Sequence, residues 1–265
     1  MNKKRIFLTN DDGFNAKGLK KLIEALNPIA NLTIVAPASE KSACGHGMTL
    51  TRPMKLLGVD DDYYKMDDGT PTDCVFIGVN NLFDEDNKPD LVISGINIGS
   101  NMGEDTTYSG TVAGAMEGVL QGIPSISISQ VFRDINGTNK DMWEYDLACK
   151  IIVDIVKKIF EDKFPLSQRK LLNINIPHCS IEECNGIKIT SLAYREYGND
   201  SHRYVSPRGE ETYWIGLHPL IWQKRQNEEQ MNDCDAVNEN YVSITPIQLD
   251  LTSYKDIKNM QEWIK

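Results

Sequence analysis

The stretch RIFLTNDDGF, residues 5–14, runs strand-forming residues straight into two adjacent aspartates, Asp11 and Asp12, and a glycine. Neighbouring carboxylates repel each other, so they either fan apart into water or share a cation. Two further loops carry matching chemistry. APASEKSACGHGMT, residues 36–49, holds Ser39, Ser42 and His46. SGINIGSNMGEDTTYSGT, residues 94–111, holds Gly95, Gly99, Gly103 and Gly110 together with the neutral amides of Asn97 and Asn101. Its glycines let the backbone come close to a ligand. It ends in Ser109, Gly110 and Thr111 directly before a helical pattern, where hydroxyls and backbone N–H groups form a ready anion site.

Asp11 and Asp12, joined by side-chain oxygens of the other two loops, make a hard, oxygen-rich pocket that suits Mg²⁺ or Mn²⁺ rather than zinc. Opposite it, the YSGT turn would hold a phosphoryl group, an arrangement for phosphoryl transfer to water. Taken singly, DDG is a solvated turn, S-G-T an ordinary helix cap and a glycine-rich loop a connector. Their coincidence at one sheet edge is what favours a site. His46 alone reads as a support more than as a catalytic group.

These loops need strands to carry them. Apolar runs at 5–10, 32–37, 90–95, 125–130 and 171–177 alternate with helical patterns at 16–26, 71–83, 111–121 and 145–160, and a hairpin is expected over 55–68. Such β-α alternation argues for a mostly parallel sheet covered on both faces, a doubly wound α/β domain whose ligands sit beyond the carboxyl ends of the strands. Past about residue 186 the texture changes to short β-like runs, KITSLA, TYWIG and YVSITPI, set among charges and aromatics. These read as extended arms that exchange between copies, or equally as an antiparallel extension folded on its own domain. The last fifteen residues, LTSYKDIKNMQEWIK, read as a C-terminal helix.

Across 265 residues the net charge is -10, which disfavours duplex nucleic acid and anionic membrane faces as partners. No run reaches the ~18 apolar residues of a membrane span, and MNKKRIFLTN lacks the apolar region of a signal peptide, so a soluble cytoplasmic protein is expected. The six cysteines form no C-x-x-C pair, and His46, His178, His202 and His218 show no metal-ligand spacing.

LTNDDG, APASEKSACGHGMTLTRP and SGINIGSNMGEDTTYSGTVAGAMEG, with the later fragments NINIP and YREYGND, together resemble the SurE survival-protein family of nucleotidases, in motif order over essentially the whole chain. The resemblance implies a metal-dependent phosphatase acting on nucleoside monophosphates, with 5'-nucleotides, 3'-nucleotides and short polyphosphate all open. It implies a three-layer α/β/α Rossmann-like core over 1–185 and a C-terminal hairpin and arm extension over 186–265 that builds a homodimer or homotetramer. Carried onto this sequence, the family's metal ligands fall on Asp11, Asp12, Ser42 and Asn97, and its phosphate contacts on Asn101, Ser109, Gly110 and Thr111. Asp11 or Asp12 would take the proton of the attacking water. A covalent aspartyl-phosphate route is the alternative, disfavoured because enzymes of that type carry D-x-D, not D-D, after the first strand. Many relatives have glycine just after the ligand serine, where this chain has Ala43 and Cys44.

Two other classes fit less well. A receiver domain needs a phospho-accepting aspartate after its third strand and a lysine after its fifth, and Ile96, Asn97, Val131 and Phe132 stand there instead. A dinucleotide-binding module needs G-x-G-x-x-G, which is absent.

Overall fold

Neighbouring residues on each central strand point to opposite sides, and the chain assigns a different helix pair to each. Phe7, Val35 and Val92 pack in one buried cluster with Cys74, Val75 and Val79. Their neighbours Leu8, Ala36 and Ile93 pack in another with Leu19, Leu22 and Leu26 on one helix and Ala148, Ile152 and Val156 on a second. The result is three layers, helix pair on sheet on helix pair, as expected from strands that are apolar on both faces.

The computed structural model describes residues 3–132, 144–196, 201–216, 221–223 and 230–265. Residues 197–200 of the YREYGND fragment and His218 lie outside them. In chain order the elements are β1 (Arg5–Thr9), α1 (Lys17–Leu26), β2 (Asn31–Pro37), β3 (Lys55–Asp60), β4 (Tyr63–Asp67), α2 (Pro71–Asn81), β5 (Leu91–Ile98), α3 (Gly110–Leu120), β6 (Ser125–Gln130), α4 (Asp146–Asp162), β7 (Lys170–Ile176), β8 (Ile187–Ile189), β9 (Tyr194–Arg195), β10 (Ser201–Val205), β11 (Glu211–Ile215), β12 (Trp222–Gln223), α5 (Asp233–Asn238), β13 (Val242–Gln248) and α6 (Ile257–Trp263). A 3-10 turn, Gly103–Thr107, interrupts the loop before α3.

The described main sheet has nine strands in the order β3-β4-β2-β1-β5-β6-β7-β13-β8. It is parallel from β4 through β7, and antiparallel where β3 meets β4 and β13 meets β7. Because β1 and β5 are central neighbours, the loops that leave them open side by side at the carboxyl edge.

Two local features set the site's shape. β5 does not stop at residue 95 as the apolar run predicts but continues to Ile98, with a register irregularity between Ser94 and Asn97. At Gly95, φ is +137° and an added Cβ would stand 2.2 Å from the Ile128 carbonyl oxygen, so glycine marks a close strand approach here and not a stop. Helix α3 carries Gly110, Gly114 and Gly118 one turn apart. Added Cβ atoms on the last two would stand 2.9 Å from Ser94 Oγ and 2.4 Å from Ser125 Oγ. The glycines forgo about 1 kcal/mol each of helix propensity and let the helix lie close on β5 and β6.

Beyond residue 186 two different things occur. β13 and β8 join the main sheet, the antiparallel extension that composition left open. β10 and β11 instead form a separate hairpin, with Tyr204, Tyr213, Trp214 and Ile215 exposed. The C-terminal helix is shorter than its pattern predicts, a turn at Tyr254–Asp256 followed by α6.

Candidate active site

Asp11 and Asp12 leave β1 on different errands. Asp11, 4% exposed, turns toward α3, where the Thr111 hydroxyl donates to its Oδ1. Asp12 turns toward β5 and accepts the Ile98 N–H at Oδ2, 3.1 Å away. Gly13, at φ +98°, closes the turn, which Asn10 braces by donating from Nδ2 to the Gly13 carbonyl at 3.0 Å.

The second loop is stitched to the first and third. Lys41 N–H donates to the Asp11 carbonyl at 2.7 Å and Phe14 N–H to that of Pro37 at 2.9 Å. Gly45 N–H donates to the Tyr108 carbonyl at 2.8 Å. His46 Nε2 lies 3.1 Å from Glu117 Oε2, pinning the loop to α3. Thr49 gives its N–H and hydroxyl to Asp73 at 2.8 and 2.7 Å, and Asp73 also completes the capping box of α2 with Thr70. Ser42 is exposed on this loop, its hydroxyl donating to Glu40 Oε1 at 2.8 Å. Ala43 has φ +56°.

The third loop rests on buried polar strands. Ser127, Ser129, Asn173 and Asn175 are each 0% exposed. Asn173 and Asn175 donate from Nδ2 to the Asn101 carbonyl at 2.8 and 3.0 Å, Asn175 Oδ1 accepts the Asn101 N–H at 2.9 Å, and Asn101 Nδ2 donates to Ser129 Oγ at 2.8 Å. Asn97, 7% exposed, donates from Nδ2 to the Gly99 carbonyl at 3.0 Å, which leaves its Oδ1 as the group it can offer a ligand. From the far end of the chain, Asp233 accepts the N–H groups of Gly103 at 2.7 Å and Ala193 at 3.0 Å. Ser109 caps α3 by accepting the Val112 N–H at 3.0 Å.

All three loops meet at Gly110. A Cβ there would stand 2.8 Å from Asp11 Cβ, 2.9 Å from Cys44 Sγ and 3.0 Å from Asp11 Oδ2. The sequence-expected Asp11, Gly110 and Thr111 are therefore in contact. Asp12 and Asn97 are linked through the adjacent Ile98 backbone. Ser42 and Asn101 sit on the flanking loops, and their recorded partners are Glu40 for the one and strands β6 and β7 for the other. Pattern reading missed Asp233, Glu117, Glu40 and the Ser/Asn rows of β6 and β7. Serine and asparagine alternating with isoleucine inside central strands was the available signal.

Electrostatically the corner lacks a cation. Burial, then the charge of Asp11, then that of Glu40 push the Asp12 carboxyl up to about 7 against the one Ile98 hydrogen bond. Burial likewise raises Asp11, opposed chiefly by the Thr111 hydroxyl. Burial and the Asp11 charge push the Cys44 thiol up to about 11, which keeps it protonated. Among the described residues no Lys, Arg or His pairs with either aspartate, and no three His, Cys, Asp or Glu side chains converge. Two uncompensated carboxylates, Asp11 buried and Asp12 half-buried, beside neutral amide and hydroxyl oxygens form a donor set that fits a hard divalent ion.

Known proteins resemble this chain over most of its length. The family model described as Survival protein SurE matches residues 6–199. The protein named 5'-nucleotidase SurE of Aliarcobacter butzleri is 57% identical over 261 residues, 98% of this chain and 99% of that one. Its namesake in Helicobacter hepaticus is 56% identical over 264 residues, 99% of each chain. The crystal structure of the SurE protein from Aquifex aeolicus matches with a TM-score of 0.82 at 42% identity, covering 98% of this chain and 100% of that one.

Proposed function

The chain belongs to the SurE survival-protein family, and from that premise we infer that it is a metal-dependent phosphatase that hydrolyses nucleoside monophosphates to nucleoside and phosphate. The observation that carries the reading is the contact of Asp11 with Gly110 and Thr111, which sets an uncompensated carboxylate pair against the N-terminus of a helix. The relatives' names supply the nucleotide as substrate.

Asp11, Asp12, Ser42 and Asn97 would hold one divalent ion, Mg²⁺ or Mn²⁺. Such an ion, when bound, neutralises phosphate charge and acidifies water. The chain's own residues do the rest. Gly110, with no Cβ, lets a phosphate approach the start of α3, where backbone N–H groups lack intrahelical acceptors. Ser109, Thr111 and Asn101 complete the phosphate contacts. Ser109 also holds the first turn in register through its cap on Val112. The attacking water's oxygen bonds to phosphorus, the bond to the ribose oxygen breaks, and that oxygen leaves with the proton the water gives up, returned by the carboxylate that accepts it. Asp11 or Asp12 accepts the proton the water loses.

The arms extend the reading to assembly. Within residues 186–265, β8 and β13 complete the sheet of the catalytic core, and the β10–β11 hairpin and α6 supply contacts for a homodimer or homotetramer. In support, the β10–β11 hairpin and α6 expose Trp214, Ile215, Trp263 and Ile264. The inferred compartment is the cytoplasm: among the described residues the cysteines form no disulfide, and no described helix is long and apolar enough to cross a membrane.

The test is a panel of 5'- and 3'-nucleoside monophosphates and short polyphosphate, assayed with each divalent ion after chelation. Turnover of nucleoside monophosphates that needs Mg²⁺ or Mn²⁺ and is lost in Asp12→Asn supports the reading. Chelator-resistant turnover, or a fully active variant, refutes it.

A further inference from the structure

Asp233, at the start of α5, is 0% exposed, and its carboxylate joins three segments of the chain. Oδ2 accepts the Gly103 N–H at 2.7 Å, while Oδ1 accepts the N–H groups of Ala193 and Cys234, each at 3.0 Å. A neutral amide could not do this. Asparagine offers one acceptor oxygen and would turn its NH2 group toward N–H donors on the other side. Burying a carboxylate is unfavourable, so its presence points to a use for both oxygens.

That use falls on Gly103. It stands between two of the proposed phosphate contacts, two residues after Asn101 and six before Ser109. Its φ is +55°, and an added Cβ would stand 2.4 Å from Trp222 Cζ3 and 2.6 Å from the Ala193 carbonyl oxygen, so the chain here is pressed against β12 and the residue before β9. From Gly103 onward the 3-10 turn is bonded at each step. The Thr106 hydroxyl donates to the Gly103 carbonyl at 2.8 Å, and the Asp105 carbonyl accepts the N–H groups of Tyr108 at 3.0 Å and Ser109 at 3.2 Å. Whatever sets Gly103 therefore also sets Ser109. Asn101, on the other side, is held by β6 and β7.

We propose that Asp233 is a positioning residue for phosphate binding, which through Gly103 holds Ser109 at the spacing from Asn101 that a phosphoryl group requires. The metal side of the corner has other supports: Asp12 is held by the Ile98 N–H and Asn97 by the Gly99 carbonyl. A competing role is purely architectural, a tie that fastens the C-terminal segment through Ala193 and Cys234. The two roles separate by experiment.

The inference rests on the nucleotidase reading, so the wild type is measured first: turnover of a 5'-nucleoside monophosphate with Mn²⁺, its inhibition by inorganic phosphate, and the Mn²⁺ midpoint for the rise in melting temperature of chelator-stripped protein. Asp233→Asn should raise the phosphate inhibition constant and the nucleotide KM about tenfold and leave the Mn²⁺ midpoint in place. Thr106→Val removes the donor to the Gly103 carbonyl without touching α5. It should raise the phosphate constant in the same direction, and it decides the question if the Asp233 variant does not fold. Asn232→Ala removes the α5 cap, where Asn232 Oδ1 accepts the Asp235 N–H at 2.8 Å, and should lower the melting temperature with the phosphate constant unchanged. A phosphate constant in Asp233→Asn equal to wild type, or raised no more than in Asn232→Ala, overturns the proposal, as does an equal rise in the Mn²⁺ midpoint. In the absence of a folded Asp233 variant, an unchanged phosphate constant in Thr106→Val overturns it. A wild type whose turnover neither needs the ion nor is inhibited by phosphate removes the nucleotidase reading itself, and the proposal with it.

Discussion

Gly110 and Asp11 stand so close that a methyl group on Gly110 would come within 2.8 Å of the Asp11 Cβ. The first residue of α3 and the first carboxylate after β1 are thus one packing unit, and the start of the helix is built against the carboxylate pair. Gly110→Ala must push Asp11 or the helix start aside. The protein should stay folded, with a stability loss of ~1–3 kcal/mol by overpacking. Because misplacement by about 1 Å costs on the order of a hundredfold in rate, kcat/KM on a nucleoside monophosphate should fall at least that far. Circular dichroism and steady-state kinetics check both halves.

Thr111 approaches the same carboxylate by chemistry where Gly110 approaches it by shape. Thr111→Val keeps the volume and removes the donor to Asp11 Oδ1. A buried carboxylate that loses a donor is destabilised by roughly 1–3 kcal/mol. The divalent-ion midpoint should move to about tenfold higher concentration, and Thr111→Ser, which keeps the hydroxyl, should restore it. Isothermal titration with Mn²⁺ reads the difference.

Ala43 occupies a left-handed conformation, φ +56°. For an L-residue this costs about 1–2 kcal/mol, while glycine there would add roughly 0.4–1 kcal/mol of unfolded-chain entropy. Strain outweighs entropy, so Ala43→Gly should raise the melting temperature slightly. Ala43→Val should lower it, and differential scanning calorimetry on the two variants gives opposite signs.

The carboxylate pair makes stability depend on pH with a definite sign. Asp12 titrates at about 7 when folded against 3.8 for the ordinary group, so between those values the native state binds the extra proton. Stability of the metal-free protein therefore falls as pH rises through that window and is regained on acidification. Asp12→Asn removes this contribution, and the wild-type-minus-variant difference isolates it from groups such as Asp68, held low by Arg52. Saturating Mn²⁺, which binds the deprotonated pair, should reverse the trend. Melting temperatures across pH, with and without the ion, measure it.

Much of this was legible in the chain because the site rides on strand ends. RIFLT, SISISQ and LLNINI announce buried parallel strands, and the loops that follow the first and third of the central strands carry their chemistry in consecutive residues. What pattern reading could not reach was the long-range support. Asp233 meets the Gly103 N–H across 130 positions and His46 meets Glu117 across 71, and sequence separation says nothing about such distances. The alternating serines of β6 and asparagines of β7 look like a solvated strand face by period. They are 0% exposed: the Asn101 loop takes up the hydrogen bonds of Ser129, Asn173 and Asn175, Ser127 donates to Asn173, and Gly118 of α3 lies close over Ser125. Gly95 misleads in the opposite sense, since its missing Cβ serves contact with Ile128 and the strand continues through it.

Diffraction from crystals soaked in Mn²⁺, collected for the anomalous signal of the metal, addresses the central claim most directly. A single strong peak bonded to oxygens of both Asp11 and Asp12, with Ser42 and Asn97 completing the shell, is the predicted result. A map with no peak between the two carboxylates, or with the ion bound elsewhere in an active crystal, would contradict it.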